Sequence, residues 1–110
     1  MRPIEPVAVQ AQLDQFVGTE LYLHLETTRG AYTEGTYGAF ARNVRVRFRR
    51  ARIAGDGPFR VGLELDGGWV VAEGLTDWEV DAQGRLLLAG HDGEGRLTVA
   101  FELSREPFPL

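Results

Sequence analysis

Apolar residues at Val9, Leu13, Phe16 and Val17, following Pro6, share one face of a 3.6-residue period, and Gly18 stands where a C-terminal cap belongs. This spacing predicts one helix over about Pro6 to Val17. From Glu20 the period becomes two, with Leu21, Leu23 and Leu25 on one face and Tyr22, His24 and Glu26 on the other, as in a half-buried strand. Thr28 to Gly38 holds glycines and tyrosines without any period and predicts a loop. Alternation then resumes, with Val44, Val46 and Phe48 opposite Arg45, Arg47 and Arg49. The apolar parity next moves to Ala51 and Ile53, which predicts a β-bulge near Arg49 and Arg50.

Beyond the turn Gly55 to Pro58, Phe59, Val61, Leu63 and Leu65 alternate with Arg60, Gly62 and Glu64, and Asp66-Gly67 signals a hairpin before Trp69 to Glu73. Two similar turns, Asp81 to Gly84 and Asp92 to Gly95, separate strands around Leu75 to Val80, Leu86 to Ala89 and Leu97 to Leu103. Strands at roughly ten-residue spacing with Gly-rich turns predict a mainly β, minor α domain. The expected architecture is an antiparallel distorted sandwich or partly open barrel, with one N-terminal helix plugging an end or covering a face. Pro107 and Pro109 keep the last five residues out of any central strand.

The 110 residues, 44% of them hydrophobic, suffice for one core and make 1–110 a single domain. No apolar run approaches the eighteen or so residues of a membrane span, and the first twenty residues lack the form of a secretory signal, so a soluble, cytoplasmic chain is expected. The absence of cysteine excludes disulfides, thiolate nucleophiles and Cys-ligated zinc. Ser104 is the only serine and lies outside any nucleophile elbow. No phosphate-binding or dinucleotide fingerprint occurs. All twelve basic residues are Arg. Six lie between Arg42 and Arg52, and a total charge of −4 with +6 in that stretch leaves −10 elsewhere.

Four groups bear on chemistry. His24 and Glu26 project from one strand face beside Tyr22, where they could share a ligand or a metal or simply pair across a solvated sheet. His91 and Asp92 end a strand at a Gly-rich turn, with Glu94 close behind; proton transfer and an ordinary Asx turn both account for them. Were His24 and His91 to converge with Glu26 or Asp92, a metal site would result. Glu73, Asp77 and Glu79 form an acidic group near Trp69 and Trp78, for which a solvated β face and aromatic packing are the plainer account. In the arginine stretch, Phe48 shares its face with Val44 and Val46 and lies opposite Arg45, Arg47 and Arg49, which argues against stacking nucleic-acid bases on a cationic groove. Ion pairing, or recognition of one anionic group by one or two Arg, suits the chain better. The ligand-binding candidates are His24, Glu26, Arg42, Asn43, His91 and Asp92, and no cofactor is assigned.

The blocks YLHLETT (Tyr22 to Thr28), GAFARN (Gly38 to Asn43), GDGPFRVGLEL (Gly55 to Leu65), AEGLTD (Ala72 to Asp77) and LLLAGHD (Leu86 to Asp92), in this order, resemble the YojF-like family of uncharacterised bacterial proteins over nearly the whole chain. The resemblance implies a distorted β sandwich or barrel with no assigned activity. It also implies an accessory role beside an LmbE-like zinc deacetylase of bacillithiol synthesis. Between Ala31 and Gly38 the chain is shorter than the family's bacillar members, which carry a His and extra aromatics there. Two expectations follow. The first is a binding or accessory module presenting the loop Thr28 to Gly38 and the Arg-bearing strand, with a deacetylase or a second copy of the chain as partner and neither membrane nor nucleic acid. The alternative is a small metal-dependent enzyme or metal-binding protein centred on His24, Glu26, His91 and Asp92.

Overall fold

The period-two segments become strands and sort into two sheets in a computed structural model, which describes residues 1–28 and 38–110. The expected loop between Thr28 and Gly38 lies, at residues 29–37, outside the described residues. In chain order the elements are β1 (Arg2–Pro3), α1 (Pro6–Gln15), β2 (Leu21–Thr28), β3 (Gly38–Val46), β4 (Arg50–Ala54), β5 (Phe59–Leu65), β6 (Gly68–Leu75), β7 (Asp77–Val80), β8 (Leu86–His91) and β9 (Leu97–Ser104). One sheet runs β1-β7-β8-β9-β2-β3 and the other β4-β5-β6, with every pairing antiparallel. The sheets do not close into a barrel, so the sandwich is the form taken.

Alternation decides which side chains enter the shared core. Leu21 and Leu23 of β2, Leu86 and Leu88 of β8, and Phe101 and Leu103 of β9 meet Ala51, Val61, Leu63 and Ala72 from the smaller sheet. Each fully buried Leu or Phe contributes about 1.5–3 kcal/mol, which makes this shared layer the main source of stability. Where β6 passes β8, a Cβ on Gly90 would collide with the Gly74 carbonyl, so only glycine permits that approach.

Pro6 occupies the first helical turn, where its missing N–H costs nothing, and Val9, Leu13 and Phe16 are buried as their spacing predicts. The helix stops at Gln15, two residues before the expected end, and Val17 is left exposed. Gly18 takes the left-handed conformation at φ 77° and donates its N–H to the Phe48 carbonyl at 3.0 Å. β4 is an edge strand, and the helix covers that edge with one side chain. The Gln10 amide donates to the Ala51 carbonyl at 2.9 Å and accepts from the Ile53 N–H at 3.0 Å, as a neighbouring strand would.

The expected bulge near Arg49 and Arg50 is not there. The parity change is real, but it marks the point where the chain leaves one sheet for the other: β3 ends at Val46, β4 starts at Arg50, and Phe48 between them is fully buried. A crossover and a bulge both shift side-chain parity by one, so the pattern alone does not separate them. A bulge does occur earlier. Leu23 pairs with Val44 and His24 with Arg42, which leaves Asn43 as the surplus residue at φ 58°.

A clamp on the outer face of the larger sheet

β2 alternation places His24 and Glu26 on the side away from the core, and antiparallel pairing sets Arg42 beside His24. The Arg42 guanidinium has only donors to offer, so its Nη1–H faces His24 Nδ1 as the acceptor at 3.2 Å. The imidazole proton then sits on Nε2 and is donated to Glu26 Oε1 at 3.1 Å. A polar residue on an outer face is ordinarily solvated, yet His24 is only 7% exposed. The segment that follows β9 covers it.

That segment turns back over the sheet at Ser104, whose hydroxyl oxygen accepts from the Glu106 N–H at 3.1 Å. The Asn43 amide then grips Phe108 twice, donating to its carbonyl at 2.8 Å and accepting from its N–H at 2.7 Å. The left-handed backbone of the bulge turns Asn43 out of the ladder, and Asn tolerates that conformation better than most residues. Arg42 donates from Nε at 2.8 Å and from Nη2 at 2.5 Å to the Pro109 carbonyl. The Phe108 ring, 5% exposed, lies 6.2 Å from the His24 ring and 5.3 and 5.5 Å from the Arg42 and Arg85 guanidinium carbons. Four of the sequence candidates, His24, Glu26, Arg42 and Asn43, are thus brought into one cluster. Phe108 was not among them; its signal is an aromatic between two prolines, which leaves the Phe108 N–H as the sole backbone donor of Pro107 to Pro109.

His91 and Asp92 lie elsewhere. On β9, His24 faces Glu102 while His91 faces Leu97, a five-residue offset worth roughly 17 Å along the sheet. The convergence of His24 with His91 on which a shared metal site was conditional therefore does not occur. Among the described residues no group of three or more His, Asp or Glu is placed to hold a metal. His91 Nδ1 is 3.0 Å from Asp77 Oδ1, which also accepts from the Thr76 hydroxyl at 2.6 Å. Those two hydrogen bonds, Thr76 first and His91 second, hold the Asp77 carboxyl below its ordinary range.

Asp92 closes its turn by accepting from the Glu94 and Arg96 N–H groups and from Arg96 Nε. Asp81 does the same with Gln83 and Arg85 in the earlier turn. The repeated Asp-x-x-Gly-Arg pattern is a turn device in both places, and hydrogen bonds led by the Arg96 N–H lower the Asp92 value.

The acidic group divides between sheets, Glu73 on β6 and Asp77 and Glu79 on β7. Trp78 is buried with the core whereas Trp69 is exposed. The arginine stretch is split as well, and it forms the expected ion pairs: Arg45 with Glu20 at 3.6 Å, Arg49 with Asp66 at 3.6 Å and Arg50 with Glu64 at 3.0 Å.

Residues 3–108 match the family model described as protein of unknown function, DUF1806. The chain is 42% identical over 116 residues to the uncharacterized protein YojF of Bacillus subtilis strain 168, covering all of both chains. It is also similar to the crystal structure of Bacillus subtilis YojF, with a TM-score of 0.87 and 41% identity over 99% of this chain and 97% of that one. The resemblance carried by the sequence blocks is thereby confirmed across the whole fold.

Proposed function

The chain belongs to the DUF1806 family, and from that premise we propose that it is a non-catalytic binding and accessory module whose recognition element is the clamp of His24, Arg42 and Asn43. One observation carries this reading. Arg42 and Asn43 make four hydrogen bonds with main-chain groups of the segment Phe108–Pro109, which belongs to no helix or sheet, and the side chain that this segment buries is an aromatic ring. Main-chain contacts supply affinity and a side-chain site supplies selectivity in the usual capture of extended peptides.

The resident occupant is the chain's own Phe108–Pro109, held in cis at a high effective concentration. A partner segment of the same form, from a second copy or another protein, competes for the same groups. The family resemblance suggests an LmbE-like zinc deacetylase of bacillithiol-type sugar-thiol synthesis as that partner, met in the cytoplasm.

Phe108→Ala vacates the ring site in the full-length chain. A synthetic Glu-Pro-Phe-Pro-Leu peptide, followed by calorimetry, is expected to bind this variant and to bind the unaltered chain far more weakly. Equal absence of binding to both would remove the peptide-capture reading. Pull-down of the deacetylase, with its activity measured in the mixture, tests the partner separately; no recovery and no change in rate would eliminate that enzyme.

A further inference from the structure

We propose that the outward face of the smaller sheet holds a second site, for a small anion that carries a flat apolar ring. It lies on the other sheet from the clamp and does not depend on the peptide reading.

Register explains how the site arises. Across β4, β5 and β6 the outward rows read Arg50, Glu64, Trp69 and then Arg52, Gly62, Val71, with Arg60 next along β5. Apart from Ala54, which pairs with Arg60, the side chains around the middle position are large, and Gly62 at that position has none. The result is a hollow one side chain deep, about 370 Å³, walled by Arg50, Arg52, Arg60, Trp69 and Val71. This is within the size of small-ligand sites, roughly 300–1,000 Å³.

The wall has two kinds of unused capacity. Trp69 is 54% and Val71 48% exposed, so an apolar strip faces water. Arg50 is oriented by its 3.0 Å ion pair with Glu64 and sits 5.7 Å from the Trp69 ring. Arg52 and Arg60 have no ion-pair or hydrogen-bond partner for their side chains among the described residues. In a chain of net charge −4, two unengaged arginines on one hollow mark a place where a negative group is welcome. Guanidinium groups recognise carboxylate or phosphate oxygens in pairs, and the indole face takes a ring by stacking. Three Arg around one hollow suit one anionic group and not a polyanionic strand, whose binding needs a line of phosphate contacts.

Phenyl phosphate is a suitable probe, titrated into the full-length chain at low salt and followed by amide and indole NMR signals. The Trp69 indole and the Gly62 amide are expected to shift saturably, while the buried Trp78 indole stays still and reports the fold. Inorganic phosphate should bind about tenfold more weakly, since it lacks the ring that stacks on the indole. Gly62→Val fills the hollow with every arginine intact; its Cβ meets Trp69 at 3.5 Å and Val71 at 3.8 Å, ordinary contact distances, and the buried Trp78 indole signal checks that the variant keeps the fold. That variant is expected to abolish the shifts, and Arg52→Ala with Arg60→Ala to weaken binding at least tenfold. No saturable shift with millimolar phenyl phosphate would overturn the site. Shifts unchanged in both variants would do the same, and equal binding of inorganic phosphate would overturn its selectivity for a ring.

Discussion

On the outer face of the larger sheet, Arg42 lies 5.3 Å from the Phe108 ring and gives its donors to the Pro109 carbonyl and to His24. On the outer face of the smaller sheet, Arg50 lies 5.7 Å from the Trp69 ring, but Arg52 and Arg60 beside it have no partner among the described residues. Both faces set arginine against an aromatic ring. In the first, the chain supplies the aromatic and the carbonyls itself, and a histidine and a phenylalanine disappear from solvent. In the second, the central side chain is missing and the aromatic stays wet. The same residue types therefore form a closed contact or an open one according to whether the chain returns to cover them.

The largest expected break in this contrast comes from Phe108→Ala, which strips the cover from the clamp. Removal of a buried ring should cost about 3 kcal/mol in urea denaturation, and it should raise the solvent exchange of the His24 ring. Asn43 comes next. Asn43→Ala loses both hydrogen bonds to Phe108 and strains the left-handed backbone, for about 2 kcal/mol. Asn43→Gly loses the bonds but not the backbone fit and should cost nearer 1 kcal/mol. The order of these two variants separates the contribution of the bulge from that of the clamp.

A pH measurement sharpens the comparison from a third place, the Thr76–Asp77–His91 group. The Asp77 value is depressed in the fold, first by the Thr76 hydrogen bond and then by His91. Its stabilising contribution is therefore complete above the unfolded carboxyl value, about 4, and is lost as pH falls through the lower folded value. Asp77→Asn should lower stability across the neutral range, where the contribution is complete, and flatten part of the fall below about pH 4, where the variant and the unaltered chain converge. Asp81 and Asp92, also lowered, keep the rest of that slope. The smallest effect is expected on the open face: Arg52→Ala with Arg60→Ala should change stability by no more than about 0.5 kcal/mol, because neither side chain is committed to a fold contact.

Much of the fold was legible along the chain because its signals are local. Alternation in β2 assigned His24 and Glu26 to one face, and the Asp-Gly turns separated the later strands. The aspartates at 81 and 92 were recognisable as turn residues from their neighbours alone. Of the candidate site, His24, Glu26, Arg42 and Asn43 were named and are adjacent, whereas His91 and Asp92, equally suggestive by residue type, belong to a different end of the sheet. Arg42 and Asn43 stand out for what they hold, and that segment lies more than sixty residues further along the chain.

What the amino-acid order determined on its own was the helix face of Val9, Leu13 and Phe16, the period-two strands, the turn positions and the exclusion of cysteine chemistry. Each depends on neighbours a few residues apart. The tertiary structure decided three things that neighbours do not encode. It turned the parity change at Phe48 into a crossing between sheets, and it left Asn43 surplus once β2 and β3 were in register. It also set Gly62 between the larger side chains of Arg52, Arg60, Trp69 and Val71, brought together from three strands. Register, layer and cover are relations between distant segments, settled by which apolar faces must meet to leave water. The chain on paper carries the faces; only folding chooses which of them are closed.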